Sequence, residues 1–257
     1  MKKIFLLAIM AVMSLASQAQ IVSSRSSMVT KEEAPKNGWT TFSIDYMPGS
    51  FGFDKSYGVL NSSVKKSQTF NAYGATLTRV NPLTAELPLF IEIGIGAQYL
   101  TYSDDFSIRG NKYEVSGNMT SVKVPLNLIF SYTIPNTEIS IDPFVGLKAR
   151  FNILGNAKLE YPSKDKTFNV FDKDDMEDCY YGTVDDTDDC VWSRFQLGWQ
   201  IGVKARFAKS FFVGASYGSD FGELVKYAGF MDSDKKDVVL AEKLKISEAT
   251  LSLGFIF

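Results

Sequence analysis

The sequence predicts an all-β protein, an eight-stranded antiparallel transmembrane β-barrel with short periplasmic turns and long extracellular loops. Three observations predict it. Eight runs alternate apolar and polar residues at the period of two that belongs to strands. The connections between those runs alternate short and long, as in outer-membrane barrels. The chain opens on an export signal.

Residues 1–19 carry Lys2 and Lys3, an apolar run from Ile4 to about Leu15, then the small residues Ala16, Ser17 and Ala19. This is the layout of a cleavable signal peptide, cut after Ala19. The alternative is a membrane anchor, but the run falls short of the roughly 20 residues that a spanning helix needs. No cysteine lies near the cleavage position to carry a lipid. Residues 20–38 are polar and read as a flexible periplasmic leader, and 39–257 as the barrel.

The first strand lies near Trp39–Met47, with Phe42, Ile44 and Tyr46 on one face, and the second near Ser67–Val80, with Tyr73, Ala75 and Leu77. The third sets Leu89, Ile91, Ile93, Ile95, Ala97 and Tyr99 against Glu92, Gly94, Gly96 and Gln98. The fourth sets Val122, Val124, Leu126, Leu128 and Phe130 against Lys123, Asn127 and Ser131. The fifth carries Ile139, Ile141, Val145, Leu147, Ala149 and Phe151 opposite Asp142, Gly146, Lys148 and Arg150. The sixth carries Phe195, Leu197, Trp199, Ile201 and Val203 opposite Arg194, Gln196, Gly198, Lys204 and Arg206. The seventh begins at Phe211, and the eighth is EATLSLGFIF, with Leu251, Leu253, Phe255 and Phe257 on one face. Pro125 and Pro143 remove ladder donors and call for a bulge or a strained pairing. Tight turns fall at NPLTAE, IPNT and AKS, and long polar loops near 48–66, 103–117, 153–191 and 220–246.

Period two does not say which face is inside. A soluble sandwich or lipocalin would bury the apolar face. Export, asymmetric connections and glycine on the polar face favour a membrane barrel. Gly94, Gly96, Gly146, Gly198, Gly202, Gly214, Gly218 and Gly254 all lie on the polar side. A wet strand gains nothing from glycine, whereas a small barrel needs small residues between large ones inside. The lumen would then hold Asp45, Glu92, Lys123, Asp142, Lys148, Arg150, Arg194, Lys204 and Arg206. Such charges must be paired or reach water, which predicts a plugged lumen. Tyr46, Tyr73, Tyr99, Tyr102, Tyr132, Trp39 and Trp192 fall near strand ends and suit aromatic girdles, unless they are ordinary strand aromatics.

The signal, the strand count, the connections and the final LSLGFIF resemble the small outer-membrane β-barrels of Gram-negative bacteria. SVKVPLNLIFSY and IDPFVGLKARF resemble segments of the PorT-like barrels of Bacteroidetes. That resemblance covers nearly the whole mature chain. It implies a multi-pass outer-membrane location, surrounding lipid and lipopolysaccharide, and insertion by a barrel-assembly machinery that reads Phe255 and Phe257.

Function is less legible. The chain of 257 residues has 27 basic and 29 acidic residues, a net charge of -2, which gives no argument for nucleic acid. There is no histidine, so the usual Ser/His and Asp/His hydrolase designs are missing, and no cofactor motif is present. Cys179 and Cys190, exported and even in number, predict a disulfide, with metal binding by two thiols as the alternative. Around them Asp174, Asp175, Glu177, Asp178, Asp185, Asp186, Asp188 and Asp189 form a weak calcium candidate, or else a solvated acidic loop. The leading expectation is a structural or interaction component, one that could belong to a larger outer-membrane complex. The alternatives are a porin-like small-solute channel and a histidine-independent enzyme.

Overall fold

The computed structural model describes residues 38–52, 67–84, 87–108, 111–160, 165–177, 187–207, 210–231 and 237–257, with the backbone alone for those within 106–113 and 227–242. The expected signal peptide, and the leader except Gly38, lie outside these residues.

Eight strands form the ring: β1 (Trp39–Gly52), β2 (Ser67–Pro82), β3 (Leu89–Ile108), β4 (Asn111–Phe130), β6 (Ile139–Glu160), β8 (Phe195–Phe207), β9 (Phe211–Asp220) and β11 (Asp237–Ile256). Each pairs antiparallel with the next, and β11 pairs back onto β1, with Phe42 opposite Phe255 and Ile44 opposite Leu253. Beyond the last strand residue, Phe257 and Thr40 exchange both backbone hydrogen bonds, at 2.9 and 3.1 Å. Closure leaves no sheet edge in the ring, the condition for a sheet to exist in hydrocarbon. Three short strands are added to the ring: β5 (Tyr132–Thr133) and β7 (Asp165–Asn169) pair with β6, and β10 (Val225–Met231) pairs with β11.

The two faces differ as alternation requires. Ile44, Ile95, Leu253 and Phe255 point outward at 66, 56, 59 and 58% exposure, while Glu92 and Arg150 point inward at 0 and 1%. The long connections are partly strand. The expected loop at 103–117 is a tall hairpin, since β3 continues to Ile108 and β4 starts at Asn111. The expected loop at 220–246 contains β10 and the first part of β11. The one at 153–191 contains the end of β6, β7, a one-turn helix at Lys173–Glu177 and a 3-10 turn at Thr187–Cys190. These extensions carry polar residues at both parities, such as Ser103, Asp104 and Asp105, so the period-two signal fades.

Neither proline produces a bulge. Proline lacks only its own N–H, which points to one neighbour. Pairing of β3 with β4 stops after Ile93–Leu126 and resumes in the same register at Gly96–Lys123, with Pro125 in the gap. On its other side Pro125 still pairs with Lys148. Pro143 lies between the pairs Ile129–Phe144 and Tyr132–Ile141, and its own pairing with Val203 is intact. The ring's register shift falls elsewhere, where Thr120 and Ser121 face Leu154 and Asn152, so that Ile153 and Leu154 both point outward.

The closed lumen as candidate functional site

The lumen is filled in layers. At the turn end Trp39, Val80, Phe90, Ile129 and Phe144 form an apolar plug, with Trp39 and Phe90 ring centroids 4.8 Å apart. These residues continue the inward parity of their strands, so the plug comes from the same alternation that builds the outer face.

Above it sits a polar layer. The Arg206 guanidinium lies 4.2 Å over the Trp39 ring, grips both Asp142 oxygens, and donates from Nη2 to Ser131 at 2.7 Å. Glu92 accepts from Lys204, from Thr78 at 2.7 Å and from Asn127 at 2.7 Å. Because the single Thr78 proton serves Glu92, Thr41 donates to Thr78, at 2.7 Å. Asp45 is held by hydroxyls alone: Ser43 at 3.0 Å, Thr76 at 2.6 Å and Ser252 at 2.6 Å. Nearer the loop end, Lys148 meets Glu248 at 2.7 Å, and Arg150 joins Asp220 at 2.7 Å and Glu248 at 3.0 Å. Gln98 also donates to Glu248, at 3.1 Å.

The described lumen charges balance. Asp45, Glu92, Asp142, Asp220 and Glu248 are matched by Lys123, Lys148, Arg150, Lys204 and Arg206. Buried ions are tolerable in this arrangement because each carboxylate is paired or hydrogen-bonded. Lys123 is the exception among the cations. Its ammonium contacts Met47 Sδ at 2.7 Å, a weak acceptor, and lines a cavity of about 70 Å³. The cavity is bounded by the polar groups of Asp45, Glu92, Ser216, Thr250 and Ser252 and by the rings of Phe144 and Phe212, and has room for a small cluster of water.

A second apolar layer closes the loop end. Met47, Phe51, Phe70, Leu100, Tyr102 and Met119 from the ring pack with Val170, Phe171, Trp192 and Leu224 from the long connections. Phe51 has the rings of Phe70, Tyr102 and Trp192 at 4.9, 5.4 and 6.1 Å. The connection is stitched in by backbone bonds from Trp192 to Val170 at 2.9 Å and from Ser193 to Leu224 at 2.6 Å.

Eight of the nine expected lumen charges point inward. Arg194 does not. It precedes the first residue of β8, is exposed, lies 4.8 Å over the Phe171 ring and donates to the Ile153 carbonyl at 3.3 Å. The expected alternation ran one residue past the strand. Asp220 and Glu248 were missed, although the inward parity of Gly218 and Thr250 leads to them. The girdle needs correction too. Tyr46, Tyr73 and Tyr99 lie side by side outside, and Tyr132 faces out near the turns, but Trp39, Tyr102 and Trp192 are buried within the lumen layers.

The acidic stretch assembles no cation site among the described residues. Asp175 accepts the Asn169 amide at 2.8 Å, and Asp189 pairs with Lys226 at 2.6 Å. Asp174, Glu177 and Asp188 are described and belong to no ligand cluster, while Asp178, Asp185, Asp186 and Cys179 lie outside the described residues. Cys190 is a buried free thiol packed by Met176, and the partner expected for its disulfide, Cys179, lies outside the described residues. Burial, then the neighbouring Asp189 charge, pushes its pKa up to about 11.

A closed barrel with an apolar exterior and a charged, filled interior is the outer-membrane type, and the outer membrane is where such a barrel resides. No protein-family model and no curated protein matches the chain. Solved structures similar to it include Ail, the attachment invasion locus protein of Yersinia pestis, at 14% identity and a TM-score of 0.38, covering 86% of this chain and 99% of that one. Neisserial surface protein A is similar at 11% identity and a TM-score of 0.34, covering 85% and 97%. A major outer membrane protein from Thermus thermophilus is similar at 13% identity and a TM-score of 0.41, covering 85% and 99%. At that distance the likeness adds nothing to the strand ladder, on which the fold rests.

Proposed function

We propose that this is a non-conducting outer-membrane barrel that acts as a structural and interaction component, holding its raised loop-end strands as a rigid surface for a partner in a larger outer-membrane complex. One observation carries the reading: apolar layers pack across the lumen at both ends, and between them most of its charges are paired with one another. The same feature argues against a small-solute channel, and among the described residues the lumen carboxylates are engaged in ion pairs or hydrogen bonds. In this reading lipid and lipopolysaccharide surround the barrel, and the assembly machinery engages the strand bearing Phe255 and Phe257, both of which face outward. The PorT-like kinship suggested by the fourth and fifth strand segments belongs to the same proposal.

Two measurements test it. In planar bilayers the purified protein should give no unit conductance, and a stable pore would overturn the sealed-lumen half. Crosslinking in intact membranes should capture a defined adduct, and recovery as free monomer alone would overturn the interaction half.

A further inference from the structure

The outward face of the turn half of the barrel is largely apolar, with the polar residues Thr40 and Asn81 and one charge between them. Among the described residues of the ring strands, Arg79 is the charged side chain there, next to Leu77 along β2 and opposite Ile93 of β3. A cation on a lipid-facing wall is unfavourable unless it reaches polar headgroups. This one is also held in place. Its Nε donates to Asn81 Oδ1 at 3.3 Å and its Nη1 to Thr40 Oγ1 at 3.1 Å. Thr40 is fixed in turn by its two backbone bonds to Phe257 across the closing seam. A guanidinium has five N–H donors. Two are used, both Nη2 donors remain, and no carboxylate of the described residues pairs with it.

We infer that Arg79, positioned by Thr40 and Asn81, is a binding site for the phosphate of a membrane phospholipid at the turn-side rim of β1 and β2. A planar fork of donors matches two oxygens of a phosphodiester. The site opens beside Leu77 and Ile93, which acyl chains would cover, so a lipid suits it better than a free anion. The inference rests on the outward face being the lipid face and is independent of whether the barrel has a protein partner.

The test is native mass spectrometry of the full chain released from detergent containing dioleoyl phosphatidylglycerol. The wild type should retain one lipid. Arg79→Gln should lower retention by at least about tenfold, the scale of one charge-assisted contact. Arg79→Lys, with charge but no fork, should fall between them. Dioleoylglycerol, with the same chains and no phosphate, should not be retained. Equal retention by wild type and Arg79→Gln, or equal retention of dioleoylglycerol, would overturn the site. Displacement of the lipid by millimolar inorganic phosphate would overturn the lipid as its ligand. Heat-modified gel mobility reports whether each variant is folded. Should Arg79→Gln not fold, Thr40→Val removes one restraint and should still weaken retention several-fold, and unchanged retention there would count against the site.

Discussion

Arg206 and Asp142 show what one buried pair does in this lumen. The guanidinium spans both carboxylate oxygens, caps the Trp39 ring and reaches Ser131, so groups from separate staves of the ring depend on it. Removing one ion leaves the other uncompensated, which costs about 3–5 kcal/mol, whereas replacing both by apolar residues of similar size is near neutral. Arg206→Met alone should therefore lower the urea midpoint of the folded barrel strongly, and Arg206→Met combined with Asp142→Leu should restore most of the loss. A loss in the double variant equal to the sum of the Arg206→Met and Asp142→Leu losses would show that the pair is not coupled. The pairing itself follows from parity: both residues fall on the polar face, and Asp142 sits directly beside Lys204, two residues from Arg206, in the β6–β8 register.

At the scale of the element, β4 is the stave whose ladders meet both prolines. It lacks pairs to β3 around Pro125, and its ladder with β6 ends at Ile129–Phe144, beside Pro143. Opposite Pro125 lies Gly94, where a Cβ would come within 2.4 Å of the Leu77 carbonyl and 2.5 Å of Thr78 Cγ2. The two sites predict opposite signs. Pro125→Val restores a donor toward β3 and should raise the unfolding midpoint, by about 1 kcal/mol for one hydrogen bond. Gly94→Val overfills the lumen beside Thr78, whose hydroxyl serves Glu92, and should lower it by about 1–3 kcal/mol. Urea titration of both variants in the same bilayer reads the two signs together. Destabilisation by Pro125→Val would mean that the break is not a missing rung.

For the whole molecule, the decisive property is which face meets lipid. Leu126 is the middle member of the outward series Val122, Val124, Leu126, Leu128 and Phe130, and lies between Ile93 and Leu147 on its neighbours. A basic residue at the midplane of a lipid face costs roughly 2–4 kcal/mol. Leu126→Arg should accordingly reduce the folded fraction in vesicles, while Thr167→Arg, on β7 beyond the ring, should have little effect. Unchanged insertion of Leu126→Arg would reverse the assignment of the faces.

Local patterning was enough to read the eight strands of the ring, the alternation of each stave and the glycine-dotted inner face, because period two is a property of neighbours along one chain. It also placed eight of the nine proposed lumen charges, since parity carries through a regular strand. Its readings failed where parity met an end. Arg194 lies one residue before β8, and the strand extensions within the long connections lose the contrast between faces that makes a strand visible. Tertiary structure alone decided that Trp39, Tyr102 and Trp192 turn inward, that Glu248 serves two cations from β6, and that the connection bearing Val170 and Phe171 seals the mouth. Those outcomes depend on which staves stand side by side in a closed ring and on how far a connection folds back over them. Both are set by contacts between residues distant along the chain, which local alternation does not encode.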